Sequence, residues 1–200
     1  LVEFSGTGDA DVGASPQGAL VLSSSGDFYG TTIRGGFDGN DVGTLFKVTP
    51  EGTLTTLVDF AARGGGGVGG SPAAALVLGN DGNFYGTTEF DGATDSGTIF
   101  KITPAGVATR LVEFTGLVGP NLGRSPQAAL VQGSNGNFYG TTEFGGADDG
   151  GTVFKITPEG VLTTLVEFGN SENEDYGYSP TAALVQGSDG NFYGTTAEGG

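Results

Sequence analysis

The stretch GNFYGTT stands at 82–88, again at 136–142 and again at 190–196, and GDFYGTT stands at 26–32. A phrase kept this closely is either a site written four times or a structural unit written four times. Its surroundings decide which. LVEF or LVDF begins at Leu1, Leu57, Leu111 and Leu165, in steps of 56, 54 and 54. Ser-Pro follows fifteen positions after each of those leucines, at Pro16, Pro72, Pro126 and Pro180. The Phe of FYG comes twelve later, at Phe28, Phe84, Phe138 and Phe192. The Phe of FK comes at Phe46, Phe100 and Phe154, at offsets of 18, 16 and 16, and the next LVEF always eleven later. Only the interval after FYGTT changes length. The chain is therefore a tandem array of repeats 1–56, 57–110, 111–164 and 165–200, the last without an FK segment. Periods of this size mark solenoids, propellers or other arrays.

Each repeat holds four strand-like pieces. In the third they are AALVQG (128–133), NFYGTT (137–142), GTVFKITP (151–158) and VLTTLVEF (161–168). They are rich in β-branched and aromatic residues and bounded by Gly, Asn, Asp or Pro. Ser-Asn-Gly-Asn at 134–137 reads as a tight hairpin, because Asn-Gly tolerates positive φ. Pro158-Glu159-Gly160 reads the same way. No segment escapes Gly or Pro long enough to show helical periodicity. Phe138 and Tyr139 fall on opposite faces of one strand, so that strand is covered on both sides. Gly140 between them and the threonines suggests close approach of another backbone.

Four antiparallel strands every ~54 residues, buried on both faces, describe an all-β fold: a β-propeller built of four-stranded blades. A β-solenoid is the competing arrangement. Four blades is the small end of the propeller range, so the reading expects further repeats or further copies of the chain to complete a ring. The chain begins at Leu1 in mid-phrase, which reads as a mature product or a piece of a longer chain.

Composition narrows the function. There are 7 Lys and Arg against 23 Asp and Glu, a net charge of −16. Such a field repels phosphate backbones and anionic membrane surfaces, so nucleic acid is not an expected partner. No apolar run approaches the ~18–20 residues of a membrane helix, so no membrane insertion is expected within this segment. Cys and His are absent, which removes Ser-His and Cys-His nucleophiles and the usual zinc sites. A glycosidase needs two carboxylates across a cleft. Glu89 and Glu143 are candidates by type, but their equivalent repeat positions read as architecture.

The run DGNFYGTT, a Gly/Asp-rich loop, GTVFKITPEG, LTTLVEF and then SPTAALVQGSDGNFYGTT resembles the GloVer-type family of bacterial extracellular tandem repeats. The resemblance covers essentially the whole chain. It implies an exported or cell-surface bacterial protein, with no enzymatic activity and no catalytic residues to carry over. The DGNFYG piece also resembles hairpins of sensor-associated propellers.

A catalytic constellation is needed once per molecule, so function is sought where the copies differ. One window is the ten-residue stretch before each Ser-Pro: SGTGDADVGA, AARGGGGVGG, TGLVGPNLGR and GNSENEDYGY. The other follows FYGTT: IRGGFDGNDVG, EFDGATDSG and EFGGADDGG. Asp9 and Asp11 before Gly13 resemble the opening of a calcium loop, without its third ligand or its closing Glu. Asp38 with Asp41, and Glu172 with Glu174 and Asp175, are looser oxygen clusters where calcium is the only cofactor considered. Tyr176 and Tyr178 beside carboxylates are ingredients of a sugar-binding surface, and Arg34 and Arg124, in the variable windows, are further ligand-binding candidates. The reading is a non-enzymatic structural or interaction module, with a carbohydrate- or calcium-dependent binding module as alternative and a glycosidase-like enzyme third. Its expected partners are other copies of itself, a glycan or a surface protein.

Overall fold

The computed structural model describes residues 4, 13–36, 41–60, 67–169 and 177–199. Within them the strands are β1 (Val21–Leu22), β2 (Phe28–Thr32), β3 (Thr44–Val48), β4 (Leu54–Asp59), β5 (Val77–Leu78), β6 (Phe84–Thr88) and β7 (Thr98–Ile102). They continue as β8 (Ala108–Glu113), β9 (Val131–Gln132), β10 (Phe138–Thr142), β11 (Thr152–Ile156), β12 (Leu162–Glu167), β13 (Val185–Gln186) and β14 (Phe192–Tyr193). Three antiparallel meanders follow, β1 to β4, β5 to β8 and β9 to β12, and a two-stranded sheet of β13 and β14. These are β-propeller blades, as the spacing predicts.

The first strand of each blade is only two residues long, where the sequence suggests six. The Ser-Pro step explains this. Ser15, Ser71, Ser125 and Ser179 all sit at positive φ, 52–56°. The kink takes the chain away from the ladder until Val21, Val77, Val131 and Val185.

The hairpins differ from the two-residue form. Gly133 N–H donates to Asn137 O at 2.8 Å, and Gly136 N–H to Gly133 O at 2.9 Å. Three residues make the loop, and Gly136 alone takes the positive φ, 82°. Asn135 contributes through its side chain instead, accepting from Asn137 N–H at 3.1 Å and donating to the Tyr139 hydroxyl at 2.9 Å. Asp81 does the same work in the second blade, accepting from Asn83 and from the Tyr85 hydroxyl at 2.9 Å.

Between blades the packing is aromatic and periodic. Tyr29 stacks on Phe84 at 4.1 Å, Tyr85 on Phe138 at 4.0 Å, and Tyr139 on Phe192 at 3.9 Å. Phe60 meets Phe100, and Phe114 meets Phe154, edge to face, each pair at 5.2 Å. Such pairs add to the area they bury. Threonine hydroxyls tie the same seams: Thr31 donates to Pro72 O at 3.2 Å and Thr141 to Ala182 O at 3.3 Å. The second threonine of each pair stays in its own blade, with Thr142 and Thr152 hydroxyls 2.8 Å apart.

Gly140 does not admit a neighbouring backbone. A Cβ there would lie 2.6 Å from the Phe154 ring and 2.8 Å from Leu130. The glycine makes room for the ring stacked across its own sheet. β11 and β12 shift register between Val153 and Phe154, leaving Leu165 as the extra residue, and the same bulge recurs in the first and second blades. The bulged Leu57 thereby reaches the turn at Gly106 of the next blade, where an added Cβ would meet it at 3.2 Å.

Candidate functional site

The meander order places both variable windows at one end of the blades. The stretch before β1 and the stretch after β2 pair directly, Ala14 with Arg34, Gly70 with Phe90, Arg124 with Phe144 and Tyr178 with Glu198. The opposite end holds the constant hairpins, whose Asx residues are spent on anchoring Tyr85, Tyr139 and Tyr193. One rim is therefore conserved from repeat to repeat and the other is free to vary.

At the variable rim, residues of three blades converge on a cavity of about 600 Å³. Gln17, Arg34 and Asp41 come from the first blade, Glu89 and Phe90 from the second, and Gln127 from the third. The Gln127 amide donates to Glu143 Oε2 at 2.6 Å and to Glu89 Oε1 at 3.4 Å, so one NH₂ group holds two carboxylates from different blades. Glu89 is half-buried, and burial raises its carboxyl above the ordinary Glu range, with the Glu143 charge adding to the effect. The mouth offers the Glu89 carboxylate as acceptor, Arg34 as donor and the partly exposed Phe90 ring, while the Gln127 NH₂ is taken up by the two carboxylates it holds.

Of the ligand-binding candidates, Arg34 lines this mouth and Arg124 does not share it. Arg124 forks onto Asp149, Nε to Oδ1 at 3.1 Å and Nη2 to Oδ2 at 2.7 Å, and its guanidinium lies 4.7 Å over the Phe144 ring. Its hydrogen bonds hold the Asp149 carboxyl below the usual carboxylate range. Tyr178 is exposed at the same rim of the fourth repeat, and a hydrogen bond with Glu198 raises its hydroxyl pKa. Asp41 is spent on its own loop, where Oδ1 accepts from Gly35 N–H at 2.7 Å, a role Asp149 repeats with Gly145 N–H at 2.8 Å. Asp9, Asp11, Asp38, Glu172, Glu174, Asp175 and Tyr176 lie outside the described residues. Among the described residues no three carboxylates gather to hold a metal ion.

Gln127 is the member of the site that sequence reading passes over. Its signal is the position after the constant Ser-Pro, which reads Gln17, Ala73, Gln127 and Thr181. A second cavity of about 590 Å³ lies between the third blade and β13–β14, lined by apolar groups including Val166, Phe168 and Phe192. It offers few polar groups to orient a ligand. Among the described residues no helix is long and apolar enough to cross a membrane.

Solved structures similar to this chain are β-propeller proteins. Virginiamycin B lyase from Staphylococcus aureus superposes with a TM-score of 0.56 at 20% identity, over 94% of this chain and 50% of the lyase. The extracellular domain of a hybrid two-component system from B. thetaiotaomicron gives 0.57 at 13%, over 90% of this chain and 20% of that one. An ulvan lyase bound to a sulfated disaccharide repeat gives 0.52 at 15%, over 84% and 43%. The chain spans half or less of the length of each. At these identities the likeness shows the fold alone; some of the similar propellers are enzymes and some are extracellular domains. A search of the curated proteins found no match. The model of the Gloeobacter/Verrucomicrobia repeat matches residues 1–122 and 117–200, and with that match, across every repeat described above, the chain belongs to this family.

Proposed function

We propose that the chain is a non-enzymatic binding module of the bacterial cell exterior, and that the mouth at its variable rim holds a saccharide. The observation that carries this is the Gln127 amide shared between Glu89 and Glu143 within a cavity also lined by Arg34. Sugar hydroxyls donate and accept at once; the carboxylates that Gln127 holds in place accept from them, and Arg34 in the same mouth donates to them. Phe90 gives the apolar face of a sugar ring a surface to cover. Arg34 suits an acidic group on that sugar, a uronate or a sulfate, by bidentate pairing. An exterior location accords with the family resemblance and with the extracellular propeller domains of the same fold.

Calorimetric titration with neutral, uronate and sulfated oligosaccharides tests the proposal. One class is expected to bind, and Gln127→Ala or Glu143→Ala to weaken it at least about tenfold by removing a charge-assisted hydrogen bond. No binding at millimolar sugar, or binding that neither variant changes, would overturn it. Release of reducing ends or unsaturated products from a bound sugar would replace the non-enzymatic reading with a catalytic one.

A further inference from the structure

The loop after FYGTT follows one backbone plan in every repeat. Its third residue is Gly35, Asp91, Gly145 or Gly199, at φ 83°, 84°, 88° and 78°. Glycine suits this left-handed backbone, and the space beside it also asks for glycine. A Cβ added at Gly35, Gly145 or Gly199 would lie 2.6, 2.4 or 2.8 Å from the Cα of Gly13, Gly123 or Gly177. The second repeat nevertheless puts a side chain there. Asp91 directs it at the corresponding backbone of Gly69 and Gly70, and that backbone has given way. Gly70 N–H donates to Phe90 O at 3.3 Å, where Ala14, Arg124 and Tyr178 make the same bond at 2.7, 2.8 and 2.7 Å.

Asp91 is 3% exposed, and among the described residues its Oδ2 has no hydrogen-bond partner. A buried carboxylate oxygen without a donor is costly, and here it stands where glycine would serve. The third repeat supplies the contrast. There Arg124 forks onto the loop carboxylate of Asp149. In the second repeat Gly70 takes the place of Arg124, and Asp95 takes the place of Asp149. Asp95 Oδ1 accepts from Asp91 N–H at 3.1 Å, which keeps the two carboxylates in one loop turn.

We propose that Asp91 and Asp95 hold a calcium ion against the Gly69–Gly70 backbone, in the place where the third repeat puts the Arg124 guanidinium. The donors are oxygens, which suit a hard cation, and glycine carbonyls supplement the two carboxylates. Loop oxygens of irregular geometry favour calcium over magnesium, which demands a near-ideal octahedron and gives up its water reluctantly. Two carboxylates place the affinity in the range of about 0.1–1 mM found in extracellular modules. The site needs no saccharide, so this reading and that of the mouth can fail separately.

Scanning calorimetry of the sugar-free chain, stripped with chelator and held at constant ionic strength, tests the proposal. Calcium at about 5 mM is expected to raise the melting midpoint by about 3–5 °C, and magnesium at the same concentration by less than about 1 °C. Asp91→Gly restores the residue of the other repeats, and Asp91→Asn keeps the shape of the side chain; both are expected to fold and to lose the calcium response. Asp149→Asn, in the third repeat, is expected to keep it. A wild-type midpoint that calcium does not move, an equal shift with magnesium, a calcium response that survives in either Asp91 variant, or one that disappears in Asp149→Asn would each overturn the proposal.

Discussion

Glu89 and Asp149 sit at the same rim and respond to pH in opposite senses. Burial and the Glu143 charge raise the Glu89 carboxyl, so its ionised form costs stability above that raised value, and the cost vanishes below the unfolded pKa. Glu89→Gln keeps an acceptor for Gln127 and removes the charge. It is expected to raise the melting midpoint at pH 7 by no more than about 3 °C, and to leave it unchanged near pH 3, in paired thermal scans. Asp149 is lowered by Arg124 and so contributes stability above its unfolded pKa, which is lost as the pH falls through the folded value. Arg124→Ala should then cost about 0.5 kcal/mol in urea unfolding at pH 7, the pair being partly exposed, with the gap closing as the pH falls through the lowered Asp149 value. Neither pairing is legible in the sequence. Gln127 reaches across 38 positions to Glu89, and only the fold says which windows share a rim. Repetition itself misled, since Glu89 and Glu143 occupy equivalent positions and read as scaffold, although the Gln127 amide, in the same blade as Glu143, makes them a pair.

The strands, by contrast, are almost wholly legible. The fixed steps from Ser-Pro to FYG to FK set their order, and Val-Thr-Phe content sets their type. What escaped were details decided by a neighbour: the Ser-Pro kink that shortens each first strand, and the ring that occupies the space over Gly140. That ring makes a sharp prediction. Gly140→Ala places a methyl 2.6 Å from Phe154 and should cost about 1–3 kcal/mol by overpacking. Phe154→Ala removes a side chain that is 0% exposed and should cost about 3–5 kcal/mol. Combined in one chain, the two should cost less than their sum in urea unfolding, because the alanine methyl occupies space the ring has left. Strict additivity would show that the glycine serves something other than the ring.

At the scale of the molecule, each blade is stabilised by the neighbour on either side, so within residues 1–200 taken alone stability is greatest in the second and third repeats, which have a neighbour on both sides. Amide hydrogen exchange of the isolated chain at low concentration should show this. Protons in β13 and β14 are expected to exchange at least about tenfold faster than those in β9 and β10, which carry the same residues at the same registers. Equal rates would mean that the fourth repeat is held by contacts beyond its Tyr139–Phe192 seam. The near-identity of the seams, with ring separations of 4.1, 4.0 and 3.9 Å, has one further consequence. A lock cut alike in every segment accepts the wrong key. During folding, the Tyr29 face of the first blade fits the Phe138 face of the third almost as well as the Phe84 face of the second, and only the length of the intervening chain rejects the error. Between molecules that tether is absent. Two partly folded chains can exchange whole repeats and emerge as a stable, interlocked pair, so this protein should refold cleanly when dilute and entangle as its concentration rises.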